Sequence, residues 1–188
     1  MSYRNGTYVA FDGQGTTDPT ASDLKYLGLL RGWDKNKGFE FHYIDSHLKT
    51  AAVRDSSKKV TLENRLMERM RNSKNMLLVL SNDTNYDRGM LNFEIEKAVD
   101  LYELPIIIAY TNCSQIRRYD EYKERWPKAL KERITAESVD AIHIPFKEKS
   151  IMNTLSKYSI HSTGNNILNG PYNTYTERFN SSLDYSFW

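Results

Sequence analysis

Residues 75–110 read NMLLVLSNDTNYDRGMLNFEIEKAVDLYELPIIIAY, and this stretch decides the fold. At its ends stand two short runs, Asn75–Leu80 and Pro105–Tyr110, that are apolar without alternation. A strand with one face in water alternates apolar and polar residues. A strand buried on both faces does not, and burial on both faces is the habit of parallel sheets covered by helices on each side. Between the runs, DRGMLNFEIEKAVDLYE predicts a helix. With Met90 at zero and about 100° per residue, Leu101, Ala98, Leu91, Tyr102, Ile95 and Val99 gather into one stripe between about 20° and 180°.

The same alternation extends in both directions. Thr7–Phe11 (TYVAF) and Phe39–Ile44 (FEFHYI) precede the stretch as strands, and Ala141–Pro145 (AIHIP) follows it. Helices are predicted in SDLKYLGLLRGWDKN, with Ser22 as its cap, and in TLENRLMERMRNS, where Leu62, Leu66, Met67 and Met70 recur at helical spacing. Two more are predicted after the fourth strand, in RRYDEYKERWPKALKERI, which Pro127 must kink or divide, and in KEKSIMNTLSKYS. Strand and helix alternating in this way predict an α/β fold, a flavodoxin-like three-layer sandwich with a five-stranded parallel sheet.

Composition sets the outer limits. A chain of 188 residues is one domain of roughly 100–200 residues, or one domain with an appendage. The 26 Lys+Arg against 24 Asp+Glu give a net charge of +2, too little for a nucleic-acid binder that works by bulk electrostatics. The single Cys excludes an intrachain disulfide and a Cys-based zinc site. No apolar run is long enough for a membrane span, and MSYRNGTYVAF has no signal-peptide core, so the expectation is a soluble, cytoplasmic protein without nucleic-acid or membrane partners. After residue 159 the character changes. Residues 160–188 hold few charges and the aromatics Tyr172, Tyr175, Phe179, Tyr185, Phe187 and Trp188. The division expected is a domain over 1–159 and an aromatic-rich extension over 160–188, which either packs on the domain or another copy, or forms a mobile tail.

In an open α/β sheet, ligands bind beyond the carboxyl ends of the strands. That rule selects Asp12 to Gly15, Asp45 to His47, Ser81 to Asp83, Thr111 to Cys113, and Phe146 with Lys147. Within the third helix Glu94 falls at about 40°, inside the apolar stripe, whereas Glu96 and Asp100 face the other way. A carboxylate aimed at a sheet is costly to desolvate unless it has partners or faces a cleft. Glu94 is therefore either a crevice carboxylate or a buried one paired with an Arg or with backbone amides. Glu63 also lies on an apolar side, but as a first-turn residue complementing its helix dipole. Cys113 and the four His show neither a nucleophile's neighbours nor metal-ligand spacing, so no metal is expected. Gly13-Gln14-Gly15 lacks the third Gly of a dinucleotide fingerprint, and no Walker loop occurs.

TYVAFDG at the first strand, NMLLVLS at the third and, above all, FEIEKAVDLYELPIIIAY make the chain over roughly 5–150 resemble the TIR-like domains of bacterial Thoeris anti-phage systems. The resemblance implies a TIR-type sandwich and an enzyme that cleaves the nicotinamide–ribose bond of NAD+. It further implies a cyclic or conjugated ADP-ribose signal that activates a partner effector protein. NAD+ would be the substrate, with no cofactor, and TIR–TIR contacts would allow a homo-oligomer. The family's essential glutamate falls on Glu94. Phe11, Asp12 and Gly13, with Ser46 and Asp83, would hold the rest of the nucleotide. Met90 stands where many members carry Trp, four residues before the glutamate, on the nicotinamide side of the pocket. The loop Ser46–Lys59 would mediate TIR–TIR contacts, with Arg54 and Asp55 as candidate contacts. Two other readings stay open: a non-enzymatic TIR–TIR interaction module, and a phosphate-accepting domain using Asp12, Asp83 and Lys147 around a divalent cation.

Overall fold

Each apolar run identified above becomes a strand because its backbone polar groups can be satisfied only by neighbours once both faces are buried. The computed structural model describes residues 4–12, 24–34, 41–42, 56–82, 84 and 90–176. Its strands are β1 (Gly6–Phe11), β2 (Phe41–His42), β3 (Ser73–Leu80), β4 (Ile106–Tyr110), β5 (Ala141–Pro145) and β6 (Asn173–Thr174). They form one sheet in the order β2-β1-β3-β4-β5-β6, every pair parallel. The first five follow the flavodoxin-like order, so the direction of winding reverses between β1 and β3. β6 is an addition to the five strands expected, two residues long. Its pairing rests on backbone and on the Asn173 amide, which donates to the carbonyls of Ala141 at 3.0 Å and Gly170 at 2.9 Å, and it has no apolar pattern to betray it.

Helices cover both faces. They are α1 (Leu24–Asp34), α2 (Ser56–Arg71), α3 (Leu91–Glu96), α4 (Lys128–Thr135) and α5 (Glu148–Lys157). On one face Tyr8, Ala10, Met76, Leu78, Leu80, Ile106, Ile108 and Tyr110 pack with Leu62, Leu66 and Met70 of α2, Leu91 and Ile95 of α3, and Leu130 and Ile134 of α4. On the other, Val9, Phe11, Leu77, Val79, Ile107 and Ile142 pack with Leu27 and Leu30 of α1 and Ile151 and Leu155 of α5. The period-2 geometry of a strand thus delivers successive residues to two separate cores, which makes the three layers.

Three helix expectations are corrected. α2 begins at Ser56 rather than Thr61, taking in Ser56 to Lys59, which sequence had assigned to a loop. Glu63 is consequently past the first turn, where it pairs with Lys59 at 3.9 Å rather than complementing the helix dipole. The charged segment before Pro127 is not a helix half: it forms turns and a short 3₁₀ turn, Lys123–Arg125. Pro127 holds Trp126 extended at φ −74°, ψ 122°, and α4 starts only after the proline. Finally, α3 passes into a π turn, Lys97–Leu101, marked by the Tyr102 N–H donating to the Lys97 carbonyl five residues back at 3.1 Å. The wider turn breaks the phase of the apolar stripe, and Leu101, placed inside it by the α-helical wheel, is 56% exposed.

The segment after α5 is anchored by a buried polar chain. The Trp126 indole N–H donates to the Tyr110 hydroxyl at 2.7 Å, and that hydroxyl lies 2.8 Å from His143 Nδ1. His143 Nε2 lies 2.9 Å from the Pro171 carbonyl. These partners assign the imidazole proton to Nε2, with Nδ1 accepting from Tyr110. Among the described residues, no helix is long and apolar enough to cross a membrane.

Candidate functional site

At the carboxyl edge of the sheet, strand ends deliver polar residues as the topology requires. Asp12 after β1, Ser81 after β3 and Thr111 after β4 are all buried. The Ser81 N–H donates to the Thr84 hydroxyl at 2.7 Å, closing a tight turn at the exit from β3. That turn leads towards Met90 and α3.

Glu94 lies in the first turn of α3, its N–H donating to the Met90 carbonyl at 2.9 Å. The start of the helix is held from outside as well, because the Asn92 side chain accepts the Ala129 N–H of α4 at 2.9 Å. Glu94 is fully buried, and its partner comes from a distant part of the chain: the Tyr8 hydroxyl of β1 donates to Glu94 Oε1 at 2.5 Å. Tyr8 sits in register with His42 of β2 and Met76 of β3, in the middle of the sheet. The carboxylate therefore stands beside the β1/β3 junction where the winding reverses; the crevice in which such sheets bind ligands lies beyond the carboxyl ends of these strands. Burial above all, then the charge of Glu94 and the hydrogen bond to it, hold the Tyr8 phenol well above its ordinary pKa, with Arg69 opposing weakly. The hydroxyl accordingly remains protonated and donates at any physiological pH. Glu94 is thus an inward-facing carboxylate that accepts a hydrogen bond from a tyrosine.

The other expected site residues divide. Met90 is buried in the same apolar cluster as Tyr8, one turn before Glu94. Phe11 is buried too, but in the cluster on the opposite face, against α1 and α5, so the structure does not bring its side chain to Glu94. Asp12 follows it at the strand end, 3% exposed. Gly13, Ser46, Arg54, Asp55 and Asp83 lie outside the described residues. Lys147 is exposed beside the start of α5. Cys113 is half-buried, its thiol pushed up by burial and donating to the Tyr110 carbonyl at 3.3 Å, an inert arrangement. Among the described residues, no three His, Cys, Asp or Glu side chains gather as a metal ion would require.

Sequence reasoning missed Tyr8. Its signal was the lone phenol of the TYVAF strand: a buried Tyr hydroxyl needs a partner, and Glu94 is an inward-facing acceptor on the same face.

The family model described as Thoeris protein ThsB, TIR-like domain, matches residues 8–116, more than half of the chain, from Tyr8 through Glu94 to the loop beyond β4. The chain belongs to the Thoeris ThsB TIR-like domain family.

Proposed function

We propose that the protein cleaves the nicotinamide–ribose bond of NAD+ and turns the ADP-ribosyl group into a cyclic or conjugated nucleotide that activates a partner effector in defence against phage. The observation that carries the reading is Glu94, a fully buried carboxylate in the first turn of α3, beside the β1/β3 junction, in a Thoeris TIR-like domain. The chemistry asks for little more. When the anomeric C–N bond breaks, its electron pair stays on the ring nitrogen and neutralises the pyridinium, so nicotinamide leaves without needing a proton. Positive charge then develops on the anomeric carbon and the ribose ring oxygen, and a carboxylate in a water-poor site stabilises it. An oxygen or nitrogen nucleophile next bonds the anomeric carbon, and the proton set free, from the attacking hydroxyl or from the amine conjugated with a ring nitrogen, passes to water. Whether that nucleophile is water or part of the nucleotide decides the product, and burial of Glu94 favours exclusion of water. Because Glu94 carries no exposed surface, nucleotide entry requires the groups covering it to part. Asp12, and in the same role Gly13, Ser46 and Asp83, are the groups we assign to the remainder of the nucleotide, with Met90 as an apolar wall.

The test is mass spectrometry of nucleotides from phage-challenged cells expressing wild type or Glu94→Gln. The expected result is an ADP-ribose derivative and free nicotinamide in wild type, with a fall of about 10²-fold or more in the variant. Unchanged product in Glu94→Gln would remove Glu94 from the mechanism. Protection from phage that survives Glu94→Gln but fails on changes in the Ser46–Lys59 loop would establish the interaction module instead.

A further inference from the structure

We infer that Tyr8 is a positioning residue for Glu94: its hydroxyl fixes one carboxylate oxygen, so that the carboxylate meets the ribose in a single orientation. The inference rests on the NAD+-cleaving reading above and deepens it. A glutamate has three side-chain torsions, and an unrestrained carboxylate spends most of its time in orientations that do not face a developing charge. Misplacement by about 1 Å is enough to cost on the order of 10²-fold in rate. The contact between Tyr8 and Glu94 has the 2.5 Å length of a charge-assisted O–H···O⁻ bond, and both residues are fully buried. Each partner is held by something rigid. Tyr8 is locked into the sheet between β2 and β3, and Glu94 stands on a helix whose start is tied to α4 through Asn92. A site assembled from two such supports, 86 residues apart in sequence, is preorganised in the sense that catalysis needs. A purely structural hydroxyl would satisfy the same burial, so the two roles are separated by kinetics rather than by fold.

The experiment compares wild type, Tyr8→Phe, Glu94→Gln and the double variant. NAD+ turnover is followed by nicotinamide release from purified protein and from extracts of phage-challenged cells, and thermal melting is measured in parallel. Tyr8→Phe keeps the ring volume and removes only the donor. The expected result is a fall in kcat of about 10–100-fold with KM changed less than about two-fold. The double variant is expected to be no slower than Glu94→Gln alone, because the two residues act as one unit. A lower melting temperature with wild-type kcat would overturn the inference and leave Tyr8 a structural residue. If Tyr8→Phe does not fold, 3-fluorotyrosine at position 8 keeps the shape and makes the phenol a stronger acid. A kcat displaced by about two-fold or more at constant KM then supports the inference, and an unchanged kcat overturns it. The two readings fail separately. An active Glu94→Gln, or a wild type that releases no nicotinamide even in challenged cells, overturns the proposed function and this inference with it. An inactive Glu94→Gln beside fully active Tyr8 variants overturns this inference alone.

Discussion

Two buried residues, Glu94 and His143, show how the same fold treats a charge and a neutral base. Glu94 receives a hydroxyl donor in the core, and its replacement by Gln keeps size and shape while removing the charge, so the expected outcome is a folded, inactive protein, checked by melting and nucleotide analysis together. His143 has no charged form to protect. Burial pulls its pKa from 6.5 down to about 4, against smaller opposing effects of the Pro171 carbonyl and Asp120. The unfolded chain takes up a proton near pH 6.5 while the folded one waits until about pH 4, so stability is complete above that range and falls as the pH drops through it. The expected loss from this residue between pH 7 and pH 5 is about 2 kcal/mol. Urea unfolding at the two pH values measures it, and His143→Gln, which does not titrate, should flatten that part of the slope. What the sequence disclosed at this scale was direction: the helical period aimed Glu94 inward. What it concealed was the partner, since Tyr8 and Glu94 are joined by sheet topology and by no local pattern.

Elements were legible wherever pattern and backbone demand coincided. The apolar runs of β3 and β4 announced doubly covered strands, and Pro127 announced a boundary. β6 was hidden because polar Asn173 and Thr174 pair through backbone and one amide side chain. The π turn was hidden because a period search assumes the α-helical angle throughout, and Leu101 paid no attention to it. The approach to β6 supplies a prediction of its own. Gly170 turns the chain at φ +70°, where its N–H donates to Asp140 Oδ1 at 2.8 Å and its carbonyl accepts from the Ala141 N–H at 3.1 Å. A Cβ added there would meet nothing within 4 Å, so only the left-handed backbone opposes a side chain. Gly170→Ala should therefore destabilise by about 1–2 kcal/mol, and Gly170→Asn by less, as read from urea midpoints.

At the scale of the whole molecule, stability depends on the two apolar layers that sandwich the sheet. Leu78, in the middle of β3 and fully buried, faces the layer formed with α2, α3 and α4. Leu78→Ala should cost about 2–5 kcal/mol in urea unfolding, with the spread set by how far the cavity collapses. The strand order also has a consequence in time. β1 lies between β2 and β3, and its Tyr8 waits for a glutamate 86 residues downstream. At ribosomal speeds of about 5–20 residues per second, those 86 residues take roughly 4–17 s to make. For most of that interval the nascent TYVAF segment lacks its β3 neighbour, Ser73–Leu80, and for all of it the carboxylate of Glu94, so β1 is long open to wrong partners during synthesis.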